Sequence, residues 1–146
     1  MYMLTKPANI VSRYFVVAIT LLVTAFPALA ESRGETLYKQ HCSACHQPDG
    51  KGIPAVIPPL TANPLVISND PEKIQDYLAR VIFGYHGALI VDNQVYYGNM
   101  PPIGYQGRIN DSELLELINY QRTAWGNDAR PVTAMDLAEA RRKGAS

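Results

Sequence analysis

Cys42-Ser43-Ala44-Cys45-His46 sets two thiols three residues apart with an imidazole directly after the second, and the chain holds no other cysteine. Thiols at that spacing on one turn of helix can each add to a vinyl group of a haem. The histidine that follows is then held under the iron, so the pattern reads as covalent haem attachment through Cys42 and Cys45. Two other chemistries use paired cysteines. A thioredoxin-like dithiol sits in a strand–helix–strand context, whereas Glu35-Thr36-Leu37-Tyr38-Lys39-Gln40-His41 ahead of Cys42 has helical character. A structural zinc site needs four ligands in two separated pairs, and only His41 and His86 remain as extra donors.

The sixth position on the iron decides between carrying electrons and binding small molecules. Beyond the first thirty residues the methionines are Met100 and Met135. Met135, in Thr133-Ala134-Met135-Asp136-Leu137, has a short helical context in which methionine is usually a filler. Met100, in Tyr96-Tyr97-Gly98-Asn99-Met100-Pro101-Pro102, is expected in a loop stiffened by two prolines, able to hold a thioether against iron. His86 is its rival. Tyr96, Tyr97 and Tyr105 are candidates to hydrogen-bond a haem propionate or the Met100 environment, or are half-buried aromatics with a wet hydroxyl. Trp125 reads as a core anchor at a helix end rather than an electron relay.

The elements that must position these groups are helical. The first helix is expected from Gly34 to His46, with Leu37 and Tyr38 on one face. A second starts at Asp70-Pro71, an N-cap followed by proline at the first helical position, and runs through Ile74, Tyr77, Leu78, Val81 and Ile82 to Gly84. A third opens at Asn110 and Glu113, which have capping-box spacing, and runs through Leu114, Leu117, Ile118, Gln121 and Trp125 to Gly126. A short last helix spans Thr133 to Arg142. The segments 48–64 and 84–107 are rich in proline and glycine, and long irregular segments of that kind need something to wrap around. Within the second, Ala88–Val91 and Gln94–Tyr97 around Asp92-Asn93 read as a small β-hairpin or as an extended loop.

Residues 1–30 carry Lys6 and Arg13, an apolar run from Tyr14 to Phe26, and Pro27-Ala28-Leu29-Ala30. That is the plan of a secretory signal peptide cleaved after Ala30. The alternative is an uncleaved anchor, at the short limit for spanning a bilayer. Either places the folded part outside the cytoplasm, with no membrane span left once the signal is removed. The remaining 116 residues suffice for one small domain, with 11 basic against 13 acidic side chains. No basic patch points to nucleic acid. Arg130, Arg141, Arg142 and Lys143 form either a partner-facing strip or a solvated tail.

Taken together, the chain resembles the class I c-type cytochromes from Gly34 to Trp125. Family members place a glycine and an aromatic residue before the haem motif where Gly34 and Tyr38 stand, and pack them against a pair on the last helix that Leu117 and Tyr120 match. In the family a proline offers its carbonyl to the proximal histidine and a leucine two residues on packs on the haem, positions held by Pro58 and Leu60. The resemblance implies an all-α cytochrome c fold, three to four helices wrapped around one haem c with a small β-hairpin. The expected domain is 31–127, and 128–146 is a C-terminal extension with a short helix. His46 and Met100 are the implied iron ligands.

The implied function is that of a periplasmic monohaem cytochrome passing single electrons between redox protein partners, as a monomer or as a subunit of a complex. Gln47-Pro48-Asp49-Gly50-Lys51-Gly52 with Pro58-Pro59-Leu60 is similar to the cytochrome subunits of periplasmic dehydrogenases. The stretch 87–101 with Trp125-Gly126-Asn127 is similar to cytochromes that serve copper nitrite reductases; an oxidase is a third acceptor class. The alternative is a haem sensor or weak peroxidase with a labile sixth ligand. With both axial positions filled, the iron has no open position for oxygen or peroxide, and no catalytic residue is expected.

Overall fold

The computed structural model describes residues 31–105 and 108–144, so the expected signal segment 1–30 lies outside the described residues. The chain is mostly helical: α1 (Arg33–His41), α2 (Ser43–His46), α3 (Pro71–Phe83), α4 (Asp111–Thr123) and α5 (Ala134–Lys143), with β1 (Tyr85–Val91) and β2 (Gln94–Met100) forming one antiparallel hairpin. Because α2 continues α1 across a break at Cys42, these are the four helical segments read from the sequence, in the expected order.

Each helix begins where its capping chemistry dictates. Asp70 Oδ1 accepts from the Glu72 and Lys73 amides at 2.9 and 3.1 Å, with Pro71 next in line. Asn110–Glu113 and Thr133–Asp136 are both reciprocal capping boxes. Ile74, Tyr77, Leu78, Val81 and Ile82 of α3 and Leu114, Leu117 and Ile118 of α4 are buried at helical spacing. They form one core with Leu37 and Tyr38 of α1. Helices α1 and α4 meet at Gly34, where a Cβ would stand 2.4 Å from the Glu116 carbonyl oxygen and 2.8 Å from Tyr120 Cβ. Only glycine allows that approach, and Tyr38 then packs on Tyr120 with ring centroids 5.7 Å apart.

Three expectations need correction. Helix α4 stops at Thr123 rather than running to Gly126, because Trp125 adopts a left-handed backbone (φ 56°) in a single 3₁₀ turn. The hairpin is longer than expected. It extends three residues further at each open end, through the facing pair Gly87–Gly98 to Tyr85–Met100, so Met100 closes a strand instead of sitting in a free loop. Its turn has Asp92 and Asn93 at φ 49° and 63°, the mirror-image geometry that suits a two-residue hairpin. Residues 128–144 are no solvated tail: Ala129, Val132, Leu137 and Ala140 are buried, and α5 packs on α3. The C-terminal cations do not form a free strip either, since Arg141 pairs with Asp111, Arg130 with Asp136 and Lys143 with Glu139.

Candidate haem site

The break at Cys42 sets the proximal side. Cys42 departs from helical geometry in φ while ψ stays close to it (φ −124°, ψ −36°). Bonds from its amide to Tyr38 O and from the His46 amide to Cys42 O, both 2.9 Å, keep one path through α1 and α2. Cys42 is buried, Cys45 exposed, and His46 buried beneath them. His46 Nδ1 lies 3.0 Å from the Pro58 carbonyl, the partner expected for it. Gly52 (φ 66°) makes this contact reachable, because a Cβ there would stand 2.3 and 2.7 Å from the Ile57 and Pro58 carbonyl oxygens. Burial holds the His46 pKa below the ordinary histidine value, with the Pro58 hydrogen bond opposing. The imidazole is therefore neutral at pH 7, and with Nδ1–H on Pro58 its Nε2 lone pair is the free donor for a metal.

The hairpin forms the opposite wall. Side chains alternate along a strand, so the register places Tyr85, Leu89, Tyr96 and Met100 on one face, and all four line the cavity that Cys42, Cys45, His46 and Pro58 line from the other side. His86, Ile90, Val95 and Tyr97 belong to the other face. Gly84 (φ 82°) permits the turn from α3 into β1, where a Cβ would stand 2.6 Å from the Met100 carbonyl oxygen. Between the two walls lies a partly open cavity whose lining comes from both, about 770 Å³ when the open space at its mouth is counted.

The structure thus brings Cys42, Cys45, His46, Pro58 and Met100 together around one space. Leu60 is not in that lining; it is buried in the core, its amide 2.7 Å from Gly50 O. His86 is exposed on the outer face of the hairpin, opposite Asn99, and loses its standing as a rival to Met100. His41 lies exposed at the cavity rim. Tyr96 lines the cavity, whereas Tyr97 and Tyr105 are solvent-exposed. Trp125 is an anchor: its ring sits edge-on to Tyr38 and Tyr120, and Nε1 donates to Pro48 O at 3.1 Å.

Two features escaped the sequence reading. Arg80 of α3 lines the cavity, is clamped to Asp76 by bonds of 2.8 and 3.0 Å, and lies over the Tyr85 ring at 4.2 Å, yet its Nη1 is buried with no partner among the described residues. The Asp76–Arg80 spacing is visible in sequence, but the cavity beneath it is not. Deeper in, the Tyr77 hydroxyl donates to Gln121 Oε1, and Gln121 Nε2 donates to Cys42 Sγ at 3.4 Å.

The donor set suits a haem. A porphyrin carries two carboxylates, and an orphaned guanidinium nitrogen on an otherwise apolar wall is the partner such a group needs. Burial pushes the Cys42 thiol up to about 12 against the Gln121 hydrogen bond, the reverse of the lowered value that a redox dithiol requires. Among the described residues no three His, Cys, Asp or Glu side chains cluster as a metal site.

The model of the family described as Cytochrome c matches residues 31–125. The chain belongs to the cytochrome c family. It is accordingly an electron-transfer protein rather than a catalyst, and its family implies haem c. This cytochrome c is 33% identical over 122 residues to a cytochrome c-552 of Thermus thermophilus, covering 80% of this chain and 79% of that protein. It is 34% identical over 113 residues to the cytochrome c subunit of alcohol dehydrogenase (quinone) from Gluconobacter oxydans, covering 77% of this chain and 22% of that subunit. The gluconate 2-dehydrogenase cytochrome c subunit of Pantoea cypripedii is 30% identical over 113 residues, 75% of this chain and 24% of that subunit. The chain spans under a quarter of the dehydrogenase subunits it matches.

Proposed function

We propose that this cytochrome c is an exported single-electron carrier, with haem c attached through Cys42 and Cys45 and ligated by His46 and Met100. The supporting observation is that these four side chains, from separated stretches of sequence, line one cavity. The donors and acceptors proposed for it are redox proteins: a dehydrogenase on one side, a reductase such as a copper nitrite reductase or an oxidase on the other. The dehydrogenase subunits among its relatives support the first. The export reading rests on the basic, apolar and Ala-x-Ala plan of residues 1–30, and no described helix is long and apolar enough to cross a membrane.

Bound there, the haem supplies a reversible one-electron iron couple. The chain's own residues set its direction and keep it clean. His46, held by Pro58, provides a neutral and oriented nitrogen. Met100, fixed at the end of β2, provides a soft neutral thioether, which favours ferrous over ferric iron and raises the reduction potential. Leu89, Ile57 and Ile103 on the cavity wall limit water, which disfavours the more charged ferric form. Arg80 Nη1 would donate to a carboxylate of the porphyrin.

The test is an optical spectrum of the purified protein, oxidised and reduced, beside Met100→Ala. Low-spin wild-type spectra with a weak ferric band at the red end, lost on mutation and replaced by carbon monoxide binding in the ferrous state, support the reading. Ready carbon monoxide binding by the wild type refutes it in favour of a sensor or peroxidase with a labile sixth ligand. A mutant spectrum identical to wild type removes Met100 as ligand.

A further inference from the structure

Gln121 is a buried amide (3% exposed) on the core face of α4, between two groups that lie far from it in sequence. Nothing about electron transfer demands a polar side chain among Leu114, Leu117 and Ile118, and a core amide is retained only if its hydrogen bonds are made. Here both ends are engaged. The Tyr77 hydroxyl, buried on α3, meets Oε1, and Nε2 points to Cys42 Sγ at 3.4 Å.

The orientation of that amide follows from the chemistry at its two ends. Once a vinyl carbon is bonded to it, the Cys42 sulfur has no proton and can only accept. It therefore selects the N–H end of the amide and leaves the carbonyl end facing α3. Tyr77 supplies the matching donor, since burial holds its hydroxyl far above the ordinary tyrosine titration range and the proton stays on oxygen. The three groups form a one-way chain of donors ending on the sulfur that joins protein to porphyrin.

We propose that Tyr77 and Gln121 act as positioning residues for the haem, fixing a hydrogen-bond donor on the Cys42 thioether and so raising the reduction potential. This rests on the attachment proposed above. A donor beside a redox centre stabilises the form with the extra electron, in the manner in which hydrogen bonds to sulfur tune other iron sites. Tyr77 contributes through Gln121 alone: without it, the amide can turn and present its oxygen.

The test uses haem-loaded Gln121→Leu, Tyr77→Phe and the double variant, with thermal unfolding as the check on the fold. The readouts are the midpoint potential by optical redox titration and the thioether C–S stretch in resonance Raman spectra. Gln121→Leu is expected to move the ferrous–ferric equilibrium toward ferric by about threefold, the weight of one weak net hydrogen bond. The C–S band should shift with it. Tyr77→Phe should shift both in the same direction by less, and should add nothing in the Gln121→Leu background. If Gln121→Leu does not fold, Tyr77→Phe alone carries the test. Folded, haem-loaded variants with unchanged potential and unchanged C–S band overturn the relay and leave Gln121 a packing residue. A wild type without covalent haem overturns the attachment reading and this one with it.

Discussion

Arg122 tests whether the C-terminal half of the chain is tied to the haem-bearing half by one side chain. It is fully buried (0% exposed), and its guanidinium donates to Val66 O at 2.6 Å, Ser68 O at 2.9 Å, Asn69 Oδ1 at 3.3 Å and Arg130 O at 3.0 Å. All four acceptors are neutral. Burial lowers its pKa, which marks the cost of keeping a cation there. Arg122→Met retains much of the packing and removes every donor. The Val66 carbonyl, buried, loses its partner at about 1–3 kcal/mol, and the half-exposed carbonyls of Ser68 and Arg130 regain water at about 0.5–1 kcal/mol each. Relief of the buried charge offsets part of this, leaving a net loss of about 2–3 kcal/mol. That corresponds to about 10 °C in Tm for a domain near 115 residues. The assay is thermal and denaturant unfolding of the haem-loaded protein, with the optical spectrum as control, since no Arg122 contact reaches the cavity lining. Arg122→Lys should lose nearly as much, because an ammonium cannot span acceptors placed around a planar fork. A loss below about 0.5 kcal/mol for Arg122→Met, the ordinary range for surface changes, would refute the assignment of these hydrogen bonds as the tie.

Arg80→Gln should lower the reduction potential and leave the melting temperature near wild type, because it removes a cation from the cavity wall while the Asp76 pair it breaks is a half-exposed one worth about 0.3–0.5 kcal/mol; potentiometry with a parallel melt reads both. Gly34→Ala puts a methyl 2.4 Å from the Glu116 carbonyl oxygen, and overpacking of this kind costs about 1–3 kcal/mol, measurable in urea. Asp136 is pushed up by burial but more strongly down by hydrogen bonds from Arg130 and Thr133, so its folded pKa is below the unfolded one. Its stabilisation is therefore complete above the ordinary carboxylate value and is lost as pH falls through the lowered one. Asp136→Asn should flatten the acid limb of stability below about pH 4.

The parts legible in sequence were those whose chemistry is local. Caps at Asp70, Asn110 and Thr133 are read from residues within one turn, and so is the haem motif, where spacing alone sets the thiols and the imidazole on one helical path. The hairpin was half legible. Val91-Asp92-Asn93-Gln94 marks the turn, but the Gly87–Gly98 pair hides the continuation, because glycine carries no strand signal of its own and is held here by register with its neighbours. Met100 was found by its type and its prolines; its position at a strand end, which fixes the face it presents, needed the register. His86 failed as a rival for the same reason: strand alternation turns it outward once Met100 turns inward.

What stayed hidden depends on distance through space. Arg122 on α4 looks like an ordinary solvent-facing residue near a helix end, yet it is buried, and Gln121 falls on the apolar stripe of the same helix with partners that sequence does not show. Gln121 is covered by Tyr77 of α3 and by Cys42, while the 66–69 segment and the chain at Arg130, the latter read from sequence as outside the domain, bring carbonyls to the Arg122 guanidinium. The misjudged tail and the missed arginine meet at one bond, from Arg122 Nε to the Arg130 carbonyl. Buried there, the guanidinium fastens the chain at Arg130, ahead of α5, to the 66–69 loop through four hydrogen bonds.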